Sequence, residues 1–164
     1  LFQVKRSTGA ADFHAPDFHL EEFLPYRLSV LANRLSRTFA RRYQDEFGIT
    51  IPEWRVIAVL GGFAPLSSNE IGDKTEMDKA KVSRAVATLL KAGLIARDEH
   101  PTDQRLIQLT LSRAGRKIYE AVIPRARALE AELTQGLSKR DLAQIHALLD
   151  QLGQRIDRVA DDRD

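Results

Sequence analysis

The stretch Ser67–Gly115, SSNEIGDKTEMDKAKVSRAVATLLKAGLIARDEHPTDQRLIQLTLSRAG, decides the fold. Ser67-x-x-Glu70 is a capping box: the serine oxygen accepts from a free backbone N–H of the first turn, and the glutamate reaches back. A helix therefore starts there, with Ile71 as its apolar anchor. Asp78 begins a second helix in the same way, because its carboxylate takes up orphan N–H groups. Val82, Ala85, Val86, Leu89 and Leu90 recur at helical spacing and form its inner face, while Lys79, Lys81, Arg84 and Thr88 fall on other faces. Gly93 stops it. Leu94–Ala96 and Leu106–Leu111 read as two short strands around the turn formers Pro101, Thr102 and Asp103. A helix-turn-helix followed by a β-hairpin is a winged helix.

Helices flank this stretch on both sides. Residues 1–19 show no period, hold Gly9 and Pro16, and read as a mobile arm. From Leu20 a stripe of Leu24, Leu28, Leu31, Leu35 and Phe39 predicts a helix that begins near Pro25 and ends near Phe47-Gly48. Ile51-Pro52 opens the next helix, with Trp54, Val56, Ile57 and Leu60 as apolar surface and Gly61-Gly62 as its stop. A long helix is expected from about Ser112 to Gly136, kinked at Pro124. Ser138-x-x-Asp141 caps a last one, on which Leu142, Ile145, Leu149, Leu152, Ile156 and Val159 form a heptad-like seam. Such a seam needs a partner, either its own domain or a second copy of the chain. The expected class is mainly α with a small β-hairpin. Its winged helix spans residues 49–111, and residues 20–48 and 112–160 form a helical dimerisation region.

Composition narrows the function. With no cysteine there is no disulfide framework, thiolate metal site or thiol switch. No run of about 18 apolar residues exists for a membrane span. The N-terminal residues lack the apolar core of a secretion signal, so a cytoplasmic setting is expected. The net charge is only +2, but its distribution is uneven. Residues 1–73 hold eight basic and nine acidic side chains, residues 74–117 ten and five, and residues 118–164 seven and nine. The positive excess lies on the winged-helix stretch, which is the footprint of a polyanion binder.

The chemistry follows from these positions. A helix in the DNA major groove presents its N-terminal half to base edges. That half holds Asp78, Lys79, Lys81, Ser83 and Arg84. Lysine and arginine donate to guanine O6 and N7, and serine bonds base or phosphate. Asp78 reads as a cap, and Ser67 as a cap that also suits a phosphate. Thr88 and Arg97 extend the candidate surface. No Gly-rich phosphate loop, nucleophile elbow or carboxylate pair points to catalysis. His14 and His19 near Asp17, Glu21 and Glu22 match no usual zinc spacing. Neither enzyme activity, metal nor cofactor is expected.

In order and spacing, several short motifs resemble the MarR (multiple-antibiotic-resistance regulator) family of bacterial transcription factors. They are Leu24-Pro-Tyr-Arg-Leu28, Ile51-Pro-Glu-Trp-Arg-Val56, Leu66-Ser-Ser-Asn-Glu-Ile71, Val82-Ser-Arg84, Lys91-Ala-Gly-Leu-Ile95, Asp103-x-Arg105, Leu109-Thr110 and Gly115. The resemblance runs from about Phe23 to Val159. It implies a homodimeric winged helix, a repressor that binds pseudo-palindromic double-stranded DNA and is released by a small aromatic or anionic effector. It places Arg105 at the wing, reaching into the minor groove. Asp103 pairs with a nearby arginine and fixes the hairpin; an ion pair of Arg105 with Asp103 is the competing reading. The resemblance also puts an effector where the DNA-binding and dimer lobes meet, near Tyr26, Arg27, Trp54 and Arg55. Trp54, on an apolar helix face, reads sooner as core, and Arg27 equally as a partner in a cross-helix ion pair. Leu142, Ile145, Leu149, Leu152 and Ile156 would carry the dimer. The rival from another class is a winged-helix assembly module that binds no DNA.

Overall fold

The computed structural model describes residues 18–99 and 107–161. Seven helices and two strands follow in the order α1 (Leu24–Ala40), α2 (Gln44–Phe47), α3 (Ile51–Phe63), α4 (Ser68–Thr75), α5 (Lys79–Lys91), β1 (Ile95–Glu99), β2 (Ile107–Leu111), α6 (Arg113–Leu133) and α7 (Lys139–Asp161) among the described residues. The chain divides into two compact units, residues 1–38 and 39–164. In the first, α1 has Pro25 in its opening turn, where a missing N–H costs nothing, and Phe18 packs against Phe23 with ring centroids 5.3 Å apart.

The core of the second unit is built by α3, α5 and the hairpin. Val56, Ile57 and Leu60 of α3 meet Val82, Val86 and Leu89 of α5, Ile71 of α4, and Ile95 and Leu109 of the strands, all buried. The inner face of α5 is the one its sequence period assigned. β1 and β2 are antiparallel, with Ile95 opposite Leu111 and Glu99 opposite Ile107. A short bridge extends the hairpin: the Leu66 N–H donates to the Leu109 carbonyl at 3.1 Å and the Leu109 N–H returns to Leu66 at 2.8 Å. The segment leading into α4 is thereby tied to the wing. Ser112 caps α6 through the Gly115 N–H at 3.1 Å and donates to the Gly93 carbonyl at 2.7 Å, so one side chain joins the end of α5 to the start of α6. A Cβ on Gly115 would run into the Leu94 carbonyl oxygen, which is why only glycine fits there.

Two helix boundaries differ from the sequence expectation, and β1 runs from Ile95 to Glu99 where Leu94–Ala96 was expected. The first helix does not run on to Gly48. It ends at Ala40, and a turn leads into the short α2, which Gly48 closes in the left-handed conformation at φ 64°. The break buries Tyr43 to 1% exposure, edge-on to Phe39 at 5.1 Å and tilted on Trp54 at 5.6 Å. Aromatic burial of this kind outweighs the few tenths of a kcal/mol by which helix propensities usually differ. Secondly, Gly61-Gly62 does not end α3, which continues to Phe63 and stops before the Ala64-Pro65 pair. Gly61 serves packing instead: a Cβ there would sit 2.6 Å from Cζ of Tyr119 on α6. The absent side chain lets the Tyr119 ring stack on Trp54, with centroids 6.3 Å apart.

Pro124 lies inside an otherwise continuous α6. Arg125, the next residue, pairs with Glu46 at 2.5 Å and lies over the Phe47 ring, and Arg42 makes a fork to Glu132 at 2.6 and 3.2 Å. These exposed pairs fix the orientation of the α2 segment against α6 more than they add stability. The last helix starts as expected, with Asp141 accepting from the Ser138 N–H at 2.9 Å and its own N–H donating to Ser138 Oγ at 3.1 Å.

Candidate nucleic-acid interface

The helix-turn-helix begins with both halves of the Ser67 box made. The Ser67 N–H donates to Glu70 Oε2 at 2.7 Å, and the Glu70 N–H to Ser67 Oγ at 3.3 Å. The Ser67 backbone N–H, and after it the Ser67 hydroxyl, hold the Glu70 carboxyl below its usual range. Ser67 thus caps α4, and its neighbours Ser68 and Asn69 stand exposed or half-exposed on the first turn. The connecting turn carries Glu76 in the left-handed region at φ 51°, and the Met77 N–H closes back on the Gly72 carbonyl at 3.3 Å.

Asp78 caps α5. Its Oδ1 accepts the Lys81 N–H at 2.8 Å and its Oδ2 the Lys81 ammonium at 2.9 Å. The side-chain bond to Lys81 is the largest cause lowering the Asp78 carboxyl pKa, followed by the backbone bond and the charges of Lys81 and Arg84. Beyond the cap the helix divides cleanly. Val82, Ala85, Val86 and Leu89 are buried, whereas Lys79, Lys81, Ser83, Arg84 and Thr88 are exposed. All five expected readers therefore share the solvent side of one helix. Thr88 is partly committed already, since its hydroxyl donates to the Arg84 carbonyl at 3.0 Å.

A groove of about 790 Å³ runs between α4 and α5, and Arg97 of β1 borders it together with Asn69, Lys79 and Ser83. Arg97 is exposed. Asn69 and Ser68, which line the same groove, were not singled out from the sequence; their signal was position, the first turn of a capped helix, rather than charge. Asp103 and Arg105, the expected wing residues, lie outside the described residues, as do Gln104 and His100.

The expected effector residues separate by burial. Trp54 is 8% exposed and is enclosed by Phe39, Tyr43 and Tyr119, which makes it a core residue. Its neighbour Tyr43 has its phenol pKa pushed up to about 12 by burial, opposed by the Arg55 charge, so it stays neutral at any working pH. Arg55 is half-buried on α3. Tyr26 and Arg27 are exposed on α1, in the first unit. Among the described residues no cluster of three metal-ligating side chains occurs, and no helix is long and apolar enough to cross a membrane.

The seam of α7 is open. None of its 23 residues is buried; Leu142 and Leu152 are half-buried, and Ile145, Leu149 and Ile156 are exposed.

This architecture recurs in known proteins. The profile of the MarR family matches residues 47–106, a stretch that holds α3, the helix-turn-helix and β1, the first strand of the hairpin. A probable transcriptional regulator from Pseudomonas aeruginosa is 30% identical, with a TM-score of 0.71 over 82% of this chain and 99% of that one. A MarR/EmrR family regulator from Acinetobacter sp. ADP1 superposes with a TM-score of 0.79 at 29% identity, over 86% and 99% of the two chains. The chain belongs to the MarR family. In sequence it is also similar to the HTH-type transcriptional regulator TcaR of Staphylococcus aureus, 25% identical over 84% of this chain and 93% of TcaR. As a MarR-family member it is a DNA-binding transcriptional regulator, and the exposed side of α5 is the natural place to look for its DNA contacts.

Proposed function

We propose that this MarR-family regulator acts as a homodimeric repressor that reads a pseudo-palindromic operator, with α5 of each copy in successive major grooves about one helical turn apart. The observation that carries this reading is the division of α5: Lys79, Lys81, Ser83 and Arg84 face solvent together while the opposite face is fully used in packing. Ser67 and the first turn of α4 supply phosphate contacts, because free N–H groups and the helix dipole favour an anion there. Arg97, Arg105 and Asp103 belong to the wing and its minor-groove contact. The open apolar seam of α7 supports the second copy that two half-sites require. An effector acts, in this reading, by stabilising a spacing of the two reading heads that does not match DNA pitch. Trp54 is committed to the core; Tyr26 and Arg27 on α1 and Arg55 on α3 each remain individual candidates to meet such a ligand.

Selection of bound duplexes from a random pool at two salt concentrations tests the reading. Paired half-sites of inverted symmetry are expected, with affinity falling steeply as salt rises. Absence of any duplex binding at low salt overturns it in favour of an assembly module. Sequences without symmetry overturn the dimeric part alone.

A further inference from the structure

Lys81 does not point freely into solvent. Both oxygens of Asp78 are spent on it, one on its backbone N–H at 2.8 Å and one on its ammonium at 2.9 Å, although the two side chains are 55% and 56% exposed. A lysine stem has four rotatable carbons and a strongly hydrated head, which makes a free lysine a mobile point charge suited to any phosphate in reach. Paired with Asp78, the same ammonium is drawn toward the N-terminal end of α5, and one of its three donors is already used. The pair is also neutral as a unit, so the tip of α5 attracts phosphate less than its lysine count implies. The acid that caps the helix is thereby placed to decide what the lysine does.

We propose that Asp78 is a positioning residue for sequence recognition: it holds Lys81 so that the ammonium is offered to a base edge instead of the backbone phosphates. This rests on the assignment of α5 as the reading helix. In energetic terms the carboxylate gives up some non-specific attraction, and the fixed donor gains discrimination. Arg84 lies one turn beyond and remains the second reader, without a carboxylate in direct contact among the described residues.

Asp78→Asn isolates the effect. Asparagine caps a helix as well as aspartate does, through its single side-chain oxygen, but offers no charge and turns an amide donor toward the ammonium. The operator selected by the wild-type protein and a scrambled duplex are the two probes, measured over a salt series. In the variant the ratio of operator to scrambled affinity is expected to fall on the order of 10-fold for each half-site and so on the order of 100-fold for the dimer, the scale of one lost base readout per copy. The scrambled duplex should bind more tightly, and the salt slope of the dimer should steepen by about 1.8, about 0.9 for each released lysine that takes up a phosphate. In a Lys81→Ala background the same Asp78→Asn change should leave the ratio where it was, because the lysine is the only route of the effect. An unchanged ratio in the single variant, or the same drop without Lys81, overturns the proposal and leaves Asp78 as a cap. Asp78→Ser, which also caps, serves as the second variant if the asparagine form does not fold. Failure of the wild-type protein to bind any duplex at low salt overturns the reading-helix assignment itself, which is a different result from an unchanged ratio.

Discussion

Gly61 and Arg84 show how much a single position decides. An alanine at Gly61 gains about 1 kcal/mol of helix propensity, since glycine is the poorest ordinary helix former. Its methyl would also overlap the Tyr119 ring, which is stacked on Trp54. Overpacking a fitted site costs about 1–3 kcal/mol, so the clash wins. Gly61→Ala is expected to lower the melting temperature by several degrees, and Tyr119→Ala in the same chain should recover most of the loss. A stabilised single variant would mean that the ring moves freely. Arg84 stands at the other extreme: it is exposed, and its head makes no hydrogen bond or ion pair among the described residues. Arg84→Ala is expected to leave melting unchanged and to cost about 1–3 kcal/mol in operator binding, with preference relaxed at one position of each half-site. A loss equal across all sequences would make it a phosphate contact.

Helix starts in this chain are set by carboxylates, and this gives the elements a common pH dependence. Glu70 at α4, Asp78 at α5 and Asp141 at α7 each accept a backbone N–H, and each is held below its ordinary pKa: Glu70 by the Ser67 N–H and then its hydroxyl, Asp78 by the Lys81 side chain and then its N–H, Asp141 by the Ser138 hydroxyl and then its N–H. A group whose pKa is lower folded than unfolded contributes its full stabilisation above the unfolded value and loses it as pH falls through the folded one. The urea midpoint should therefore be flat near neutrality and fall below about pH 4.5, and Glu70→Gln with Asp141→Asn should flatten that fall. A profile of the double variant that matches the wild type would assign acid sensitivity to other groups, such as Glu132 against Arg42. The same caps made these elements legible in the sequence, because a cap is local: Ser67, Asp78, Ser112 and Ser138 each act within three residues of themselves. The exposed side of α5 was legible for a similar reason, since one period sorts its residues. What escaped were features settled by residues distant in the chain. The leucine stripe of α1 gives no hint that Tyr43 will leave it for Trp54, and Gly61 looks like a stop until Tyr119 of α6 is known. Trp54 could be read either way until its three aromatic neighbours were in place.

At the scale of the whole molecule the proposed dimer needs a surface that can join two copies. The seam of α7 is apolar and, in the single chain, unoccupied by buried contacts: Ile145, Leu149, Ile156 and Val159 are 43–64% exposed. A stable interface takes about 800 Å² from each partner, and a 23-residue amphipathic helix provides a large part of that. Leu149→Asp puts a charge in the middle of the seam. Because Leu149 is 51% exposed in the single chain, the substitution should leave the fold of each copy, and its helical circular dichroism, close to wild type. Burying an unpaired carboxylate between two copies costs far more than one side chain can return, so the variant should elute as a monomer on sizing chromatography. DNA binding gives the second, independent readout. A monomer makes about half the phosphate contacts of a dimer, and the slope of log affinity against log salt is proportional to that number. The slope for the full operator should thus fall by about half, to the value for an isolated half-site, while the preferred half-site sequence stays the same because α5 is untouched. A Leu149→Asp protein that elutes with the wild type and keeps its salt slope would move the dimer contact away from the middle of α7.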